Sequence, residues 1–343
     1  MSALVLPNRR VEDWKYSDLR NAIEPAAVES APTAEWRVDV SGAVEQSPLP
    51  EIMPHGRHGE MGVVAAARAT SGVFLHIGKG ERGTAHLELV TAGHGRTLIV
   101  VEDGAMLTLR EAAAFGDFAN IAFDVVLGVN AQLDHIREAA AHNDAVRVSD
   151  YSIRLAQGAA YRAHFADFGA KLSRTELHIA LEGEGAEAHL SGVSVLGDTG
   201  HADVTTHITH AVGNTQSTQL FKLIAGGKSR GVYQGKISVA EGANGSDSRQ
   251  TAKGLLLGER AEIDLKPELE ILADDVQCAH GAAVGDLDPE SLFYLRSRGV
   301  PESEARALLM RAFLEDAVAE IADETIRADV WSRVEAALAE LSA

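Results

Sequence analysis

Hydrophobic and polar residues alternate through most of the middle of this chain. From about Val63 onward, apolar positions alternate with polar ones in runs of five to eight residues, the pattern of half-buried β-strands. Small turn residues, mostly Gly-Ala or Asn-Ala pairs, interrupt the runs at positions 104, 130, 158, 185, 213 and 242. The intervals are 26, 28, 27, 28 and 29 residues, so the chain repeats a structural unit with a nearly fixed period.

Each repeated unit contains two strand-like runs. In one unit, residues 158–165 and 174–181 form such runs, with no helical pattern between them. A single unit cannot bury its own apolar face, whereas stacked units pair each strand with its equivalent one turn later. The pattern therefore predicts a mainly β fold with a parallel β-helix, or solenoid, at its core. A β-sandwich is the main alternative, but most connections lack the two-residue Asn-Gly or Asp-Gly hairpins that it favours.

The inward-facing positions repeat with the same period. Three residues after the first four breaks stand Leu107, Leu133, Tyr161 and Ala188. Because side chains alternate between the two faces of a strand, this equal spacing keeps one face turned inward in successive turns.

The N-terminal part of the chain lacks this alternation. Residues 9–23 place Val11, Trp14, Leu19 and Ile23 near one side of a short amphipathic helix. Residues 25–60 contain prolines and glycines without a period, which indicates loop and linker, apart from an alternating run at 35–40 that predicts a strand.

The C-terminal part changes to a helical pattern. Asp288 is suited to an N-cap, Pro289 to the first helical position, and Gly299 to a helix end. Apolar residues then recur with helical spacing from Ala305 to Ile321 and from Ile326 to Leu341. These helices carry more apolar surface than they can hide among themselves, so we expect them to dock on the end of the solenoid or on another protein.

These changes of pattern divide the chain into three parts. We assign an N-terminal helical segment and linker to residues 1–62, a parallel β-helix core to 63–285, and a C-terminal helical subdomain to 286–343. A chain of 343 residues exceeds the usual size of a single core, which suits a large core with smaller appendages.

The charge of the chain limits its partners. With 50 acidic and 31 basic residues, the net charge of −19 repels nucleic acid and anionic membranes, so a protein or a cation is the expected partner. The longest aliphatic run, residues 98–101, is too short to span a membrane, and the N-terminal apolar run is too short for a signal sequence. A single cysteine allows no internal disulfide, and we expect a soluble, cytoplasmic protein.

Two sequences resemble nucleotide-binding motifs, but the residues around them do not fit a nucleotide-binding site. Residues 78–83 match G-x-G-x-x-G, but the following residues alternate like a strand instead of opening a helix. Residues 226–229 end like a P-loop but lack its first glycine. No catalytic constellation appears, and the chain is predicted not to be an enzyme.

Three neighbouring histidines raise the question of a metal site. On an extended strand His201 and His207 share a face, whereas His210 points to the other side. The three cannot converge without a bend, so we interpret them as polar residues of a sheet face.

Cys278 and His280 are a second candidate for metal binding. On a strand both project from one face, close enough for a sulfur and a ring nitrogen to reach one ion. Two ligands do not complete a site, and an iron–sulfur centre with four thiolates needs four cysteines where this chain has one. Either the remaining ligands come from another chain or from solvent, or Cys278 is a small buried thiol beside a hydrogen-bonded imidazole.

Residues 250–299, which include Asp-Asp-Val-Gln-Cys-Ala-His-Gly at 274–281, resemble the signature of the SufB/SufD family of iron–sulfur cluster assembly proteins. Residues 12–19, Glu-Asp-Trp-Lys-Tyr-Ser-Asp-Leu, resemble the opening motif of its SufD branch, and residues 231–239 resemble its central run. The resemblance implies a right-handed parallel β-helix with helical ends. It also implies a scaffold subunit of the SUF system that pairs with a SufB-like paralogue through the end of the β-helix.

The resemblance also implies roles for particular residues. His280 would bind iron or an iron–sulfur cluster, transiently and shared with the partner chain, and Cys278 would support it. An essential cysteine of the SufB branch is missing from the corresponding stretch here, residues 251–254, where Ala252 is nearest to its position, which favours the SufD branch. The C-terminal helices would bind a SufC-like ABC-type ATPase through an apolar stripe, Leu308, Leu309 and Phe313.

Several alternatives stay open at this stage. Flavin association at the level of the complex and a homodimer of the isolated chain are both compatible with the resemblance. A carbohydrate-active β-helix enzyme is the main alternative of another class, because a fold does not determine a function. A stand-alone cluster carrier is disfavoured by the single cysteine.

Overall fold

The computed structural model of the chain describes residues 4–51, 53, 56–113 and 116–342. The strands in these residues are β1 (Glu35–Gly42), β2 (Val44–Pro48), β3 (Gly72–Ile77), β4 (Arg82–Thr91), β5 (His94–Val101), β6 (Met106–Ala113), β7 (Phe118–Leu127), β8 (Gln132–Ala139), β9 (His142–Leu155), β10 (Ala160–Asp167), β11 (Ala170–Leu181), β12 (Glu187–Leu196), β13 (His201–His210), β14 (Gln216–Ala225), β15 (Arg230–Val239), β16 (Asp247–Leu256), β17 (Glu262–Ile271) and β18 (Gln277–Gly285). The helices are α1 (Leu19–Ala22), α2 (Pro25–Ser30), α3 (Glu60–Arg68), α4 (Pro289–Ser297), α5 (Glu302–Ala319) and α6 (Glu324–Ser342), and a 3-10 helix spans Glu12–Trp14.

The strands form two sheets that share one core. The first sheet has the order β1-β4-β6-β8-β10-β12-β14-β16-β18, and the second has the order β17-β15-β13-β11-β9-β7-β5-β3-β2. Neighbouring strands are parallel, except that β1 pairs with β4 and β2 pairs with β3 in the antiparallel sense. Successive strands therefore alternate between the sheets and wind into a β-solenoid of about eight turns. The prediction of a mainly β fold with a parallel β-helix is confirmed.

The periodic turn residues adopt the left-handed backbone conformation. Gly104, Asn130, Gly158 and Gly185 have φ angles of 68°, 55°, 66° and 73°. Glycine adopts this conformation without a steric penalty, and asparagine tolerates it better than most residues. The alanines that follow these four turns are 0% exposed, because the corners of successive turns stack closely and leave room only for a methyl group. The period in the sequence is therefore the length of one solenoid turn.

The inward-facing residues stack in the predicted way. Leu107 lies beside Leu133, Leu133 beside Tyr161, and Tyr161 beside Ala188 in the strand register. All four are at most 2% exposed. Burying large apolar side chains of this kind stabilises a fold by roughly 1.5–3 kcal/mol each, and here the gain continues along the solenoid axis.

The outer face of the second sheet carries buried charges beneath the N-terminal segment. Arg174 is fully buried, and its guanidinium lies 2.7 Å from Asp203 Oδ2 and 2.9 Å from Glu176 Oε2. The ring of Trp14 covers Arg174 at 4.3 Å, and the Ser17 hydroxyl donates a hydrogen bond to Asp203. Ser17 lies between the 3-10 helix and α1, so the single helix predicted for residues 9–23 is instead two short helices.

A second contact holds residues 56–62 against the same face. His58 bridges two buried carboxylates, with Nε2 at 3.0 Å from Asp124 Oδ1 and Nδ1 bonded to Asp150. The backbone N–H of Gly59 donates to Asp150 Oδ2 over 2.9 Å. Burial lowers the pKa of His58, but the hydrogen bonds to Asp124 and Asp150 outweigh it and raise the pKa to about 9. The imidazolium is therefore the stable form at neutral pH.

The C-terminal helices cover the outer face of the first sheet. Met310 and Leu314 of α5 pack in one cluster with Val193 and Val195 of β12 and with Val330 of α6. The helices dock along the side of the solenoid, so the expectation that they would cover its end is wrong. Ile136, Ala166 and Ile224 on the outer face of the same sheet belong to this cluster, which provides the apolar surface that the helices need.

The start of α4 follows the predicted capping pattern. The Asp288 side chain accepts hydrogen bonds from the backbone N–H groups of Glu290 and Ser291, and Pro289 occupies the first helical position. Gly299 has a φ of 87°, the left-handed conformation that ends a helix. These local signals confirm the predicted start and end of this helix.

Candidate functional site

The two ends of the solenoid differ. At the N-terminal end, β1 and β2 add an antiparallel strand to each sheet. At the C-terminal end, β17 and β18 are the last strands, and no strand in the described residues pairs with their outer edges. An edge strand presents unpaired backbone N–H and C=O groups and is a template for pairing with another chain. We call this end, formed by β17 and β18, the open end.

Cys278 and His280 both lie on β18 at the open end. Strand register places Cys278 beside Ser248 and His280 beside Gln250, two buried residues of β16. Because side chains alternate along a strand, both residues point toward the interior side of the last turn. This agrees with the prediction that Cys278 and His280 project from one face of a strand. His280 is nevertheless exposed and Cys278 is half-buried, because no further turn covers them.

The two side chains differ in their readiness to bind a metal. Cys278 packs beside a small apolar cluster of Ile237, Val239 and Ala243. Burial and the nearby charge of Asp247 raise the pKa of the Cys278 thiol, although a hydrogen bond with the Ser248 backbone partly opposes them. A thiol with a raised pKa is a poorer ligand than a thiolate.

Behind His280 lies a buried polar chain. The Gln250 side-chain N–H donates to the Tyr233 hydroxyl over 2.9 Å, and that hydroxyl donates to Gln219 Oε1 over 3.0 Å. Gln219 also accepts a hydrogen bond from the Thr206 hydroxyl over 2.7 Å. The side-chain oxygen of Gln250, Oε1, is buried and has no hydrogen-bond partner among the described residues. These hydrogen-bonded side chains extend through the interior to Gln250 on β16, the strand that pairs with β18 beside His280.

The hydrogen-bonded residues Gln219, Tyr233 and Gln250 were not predicted from the sequence. Gln219 and Gln250 occupy equivalent positions in successive turns, and Tyr233 lies on the facing sheet. The signal was available, because both glutamines lie at an inward-facing position of their strands, where three earlier turns carry the apolar residues Leu109, Ala163 and Leu190. A buried amide in such a position needs a hydrogen-bond partner, which would have pointed to Tyr233.

The pair on β18 offers one imidazole and one thiol. In the part of the chain that the structure describes, no group of three or more metal-ligating side chains includes Cys278 or His280. A neutral imidazole binds iron or zinc, but an ion needs about four ligands. The open end is therefore at most one side of a metal or cluster site.

The predicted partner-binding residues occupy different environments on α5. Leu308 is 45% exposed, and Leu309 is half-buried. Phe313 is turned toward the first sheet, where the Lys222 ammonium lies 4.9 Å from the centre of its ring. In α4, Phe293 and Tyr294 are 74% and 57% exposed, two apolar residues that sequence analysis did not select.

The hydrophobicity of the helices bears on membrane insertion. Within the described residues, none of them combines the length and the apolar character that a transmembrane helix needs.

The fold and the open end define a class: β-solenoid proteins with one unpaired end and with helices along the side. A family model described as "SUF system FeS cluster assembly, SufBD core domain" matches residues 83–313, more than half of the chain. The chain belongs to the SufBD family, whose members take part in iron–sulfur cluster assembly. The family resemblance inferred from the sequence is confirmed.

Three relatives show how far this similarity extends. Iron-sulfur cluster assembly protein SufD of Escherichia coli is 28% identical, over 96% of this chain and 88% of that protein. A SufBD family protein of Synechocystis is 33% identical, over 70% of this chain and 54% of its own length. A SufBD family protein of Mycobacterium tuberculosis is 28% identical, over 98% of this chain and 90% of its own. The similarity to SufD and to the mycobacterial protein includes both flanking parts as well as the core.

Proposed function

We propose that this chain is a non-enzymatic scaffold subunit of the SUF complex, corresponding to the SufD branch. In this role it pairs with a SufB-like paralogue through the open end and binds a SufC-like ATPase through its C-terminal helices. Membership of the family supports cluster assembly over the carbohydrate-active alternative. The observation that carries the proposal is the open end itself, with an exposed imidazole on an unpaired strand.

The residues of the open end support pairing through β18 in particular. Residues 277–285 carry no carboxylate, lysine or arginine, and most are small. By contrast, β17 contains Pro267 and several charged residues, which are features that discourage strand pairing. A parallel or antiparallel partner strand on β18 would satisfy its free backbone groups and continue the solenoid into the second chain.

Exposed apolar residues concentrate in the same region. Ile271, Leu272 and Val284 at the open end are 40%, 64% and 43% exposed. Exposed apolar side chains that are grouped in one region are a feature of surfaces that a partner covers. A partner chain at the open end would remove them from water and so add to the gain from strand pairing.

His280 is proposed as the ligand that this subunit contributes to a shared site. Iron or an iron–sulfur cluster is the cargo, held transiently between this chain and the paralogue. Cys278 has a supporting role, because its raised pKa disfavours the thiolate. Flavin association is a prediction at the level of the complex, and the visible absorbance of the purified complex measures it.

The test of His280 uses the complex coexpressed with the paralogue and the ATPase. His280→Ala should leave complex formation unchanged and lower the iron and sulfide that copurify with it. His189→Ala is the matched control, since this histidine is partly exposed on β12 of the same sheet, away from the open end. An unchanged iron and sulfide content in His280→Ala would remove His280 from the site, and a chain that binds neither partner would refute the scaffold role.

The three parts assigned to the chain are proposed as its functional divisions, with residues 286–343 binding the ATPase through Leu308, Leu309 and Phe313. Leu308→Glu should reduce capture of the ATPase without lowering the unfolding temperature, because Leu308 is 45% exposed. Val63→Glu on α3 is the control, at 57% exposure on the opposite side of the sheet pair. Equal capture by Leu308→Glu and wild type would exclude this residue from the ATPase contact.

The oligomeric state of the isolated chain follows from the same surface. A homodimer through the open end is proposed for the chain without its paralogue, since two copies of β18 can pair with each other. Analytical ultracentrifugation should show a dimer that the paralogue converts into a heterocomplex. A monomer at high concentration would show that β18 does not pair with itself.

A further inference from the structure

A second group of metal-ligating side chains lies on the outer face of the second sheet. Glu176 and His178 are two residues apart on β11, so both point outward. Strand register places His178 beside His207 of β13. One potential ligand atom from each of the three residues lies within 4.8 Å of the others. This group, Glu176, His178 and His207, is called the outer triad.

The outer triad contains buried nitrogen atoms without hydrogen-bond partners. His178 is 7% exposed, and its Nδ1 atom has no partner. The Nε2 atom of His207 is also buried and unpartnered, since Asp13 Oδ1 lies 3.7 Å away, beyond hydrogen-bond distance. Leaving a buried polar atom unsatisfied costs roughly 1–3 kcal/mol, so two such atoms side by side call for an explanation.

The third member of the outer triad is held as a carboxylate. Arg174 donates hydrogen bonds from Nε and Nη2 to Glu176 Oε2, which leaves Oε1 directed at His178, 3.0 Å from its Nε2. Metal-binding carboxylates are commonly oriented by a hydrogen-bonded neighbour in this way.

The relative orientation of the two imidazoles limits how they can share an ion. The two rings are stacked, with centroids 4.8 Å apart and planes 3° apart. Because the nitrogen lone pair lies in the ring plane, one ring must turn out of the stack before both can bind a single ion.

A cavity gives access to the outer triad. A space of about 330 Å³ is lined by His178 and His207 and by Arg57, Arg154 and Thr209 among others. Arg154 forms an ion pair with Glu182 at 2.9 Å, so its positive charge is balanced. A hydrated ion fits this space, and its waters can complete the coordination.

We propose that Glu176, His178 and His207 bind one divalent transition-metal ion, Fe²⁺ or Zn²⁺. Two imidazoles and one carboxylate are the donor set that non-haem ferrous iron and catalytic zinc share. Asp13, which lies 3.7 Å from His207 on the N-terminal segment, supplies a fourth ligand after a small shift. The ion would thereby fasten the N-terminal segment to the solenoid, at a place separate from the open end.

The test titrates the chelator-treated full chain with Zn²⁺ and, under anaerobic conditions, with Fe²⁺. Isothermal titration calorimetry should show one ion per chain at this site, and the ion with the higher affinity identifies its preference. The double variant His178→Gln/His207→Gln should lose at least about 100-fold in affinity, in line with the effects of removing metal-site groups. The control variant His189→Gln should bind like wild type, because within the described residues no third metal-ligating side chain accompanies His189 and its partner Glu187.

A spectroscopic measurement guards against a variant that fails to fold. In the wild-type chain, the ring nitrogen resonances of His178 and His207 should shift on addition of Zn²⁺. Binding of neither ion, or undiminished binding by a correctly folded double variant, would overturn the proposal. Loss of binding in His280→Ala, with the double variant unaffected, would place the ion at the open end and overturn it as well.

Discussion

Replacing Arg174 with methionine tests how the buried charges hold the N-terminal segment. Arg174 is fully buried and pairs with Asp203, which is 1% exposed, and with Glu176, which is 2% exposed. Methionine retains most of the length of the side chain and removes its charge. Both buried carboxylates then lose the guanidinium that they share, and the contact with the Trp14 ring loses its charge.

The size of the effect follows from the burial. Removing one partner of a buried ion pair costs about 3–5 kcal/mol, because the remaining charge stays desolvated. An unfolding entropy of roughly 2.1 cal/mol/K per residue gives about 0.7 kcal/mol/K for 343 residues. The unfolding temperature should therefore fall by about 4–7 °C in Arg174→Met.

The loss should depend on pH. Because the pKa of Glu176 is lowered to about 2 in the folded wild type, its ionised form contributes stability above its ordinary pKa near 4.5, and this contribution disappears as the pH falls toward 2. In Arg174→Met the lowering is removed, and burial raises the pKa of the carboxylate instead. The difference between wild type and variant should thus be largest at neutral pH and shrink in acid.

The matched control for this prediction is Arg154→Met. Arg154 also pairs with a glutamate, Glu182, which directly follows the adjacent strand β11, but the two side chains are 46% and 41% exposed. Surface pairs contribute only about 0–1 kcal/mol, so the control should unfold within about 1 °C of wild type. Thermal unfolding followed by circular dichroism, at several pH values, measures both variants. Equal losses in the two variants would refute the argument from burial.

Two further predictions concern the interior near the open end and the N-terminal contact. In Gly235→Ala the added methyl would lie 1.7 Å from Gln250 Nε2, so the amide must move and break its hydrogen bond, at a cost of about 2–3 kcal/mol. Gly281→Ala on β18 meets no atom within 4 Å and should change the unfolding free energy by less than about 0.5 kcal/mol; similar values for the two would contradict this. His58, with its pKa raised to about 9, should contribute stability that is complete below pH 6.5 and is lost as the pH rises through 9. Denaturant unfolding of His58→Gln should show a weaker pH dependence between 6.5 and 9.5, and an unchanged slope would exclude this contribution.

The repeating parts of the fold were predictable from local patterns. Gly104 and Asn130 recur at the length of one turn, and the inward residues Leu133 and Tyr161 keep the same distance from those turns. In a solenoid each turn contacts mainly its neighbours, so a periodic sequence is enough to predict which strands pair. The capping of α4 by Asp288 was predictable for a similar reason, because a capping hydrogen bond joins residues close in sequence.

The docking of the flanking parts was not predictable in this way. The apolar stripe of α5 indicated that a surface must cover it, but only the folded chain shows that Val193 and Val195 on the side of the solenoid provide this surface. The N-terminal segment likewise reaches a face more than 150 residues away in sequence, where Trp14 covers Arg174. Several surfaces of the solenoid could bury an apolar or aromatic side chain equally well, so the sequence of a flanking segment does not determine which surface it contacts.

The sequence by itself determined the solenoid, the family and the shared face of Cys278 and His280, because period, signature and strand alternation are all local properties. The tertiary structure decided that β18 is the last strand of its sheet, which leaves His280 exposed at an open end. It also brought His178 and His207 together, residues of successive turns, of which only His207 was considered for metal binding from the sequence. Strand register across turns joins residues that are distant in the chain, and it is set by the packing of the whole solenoid.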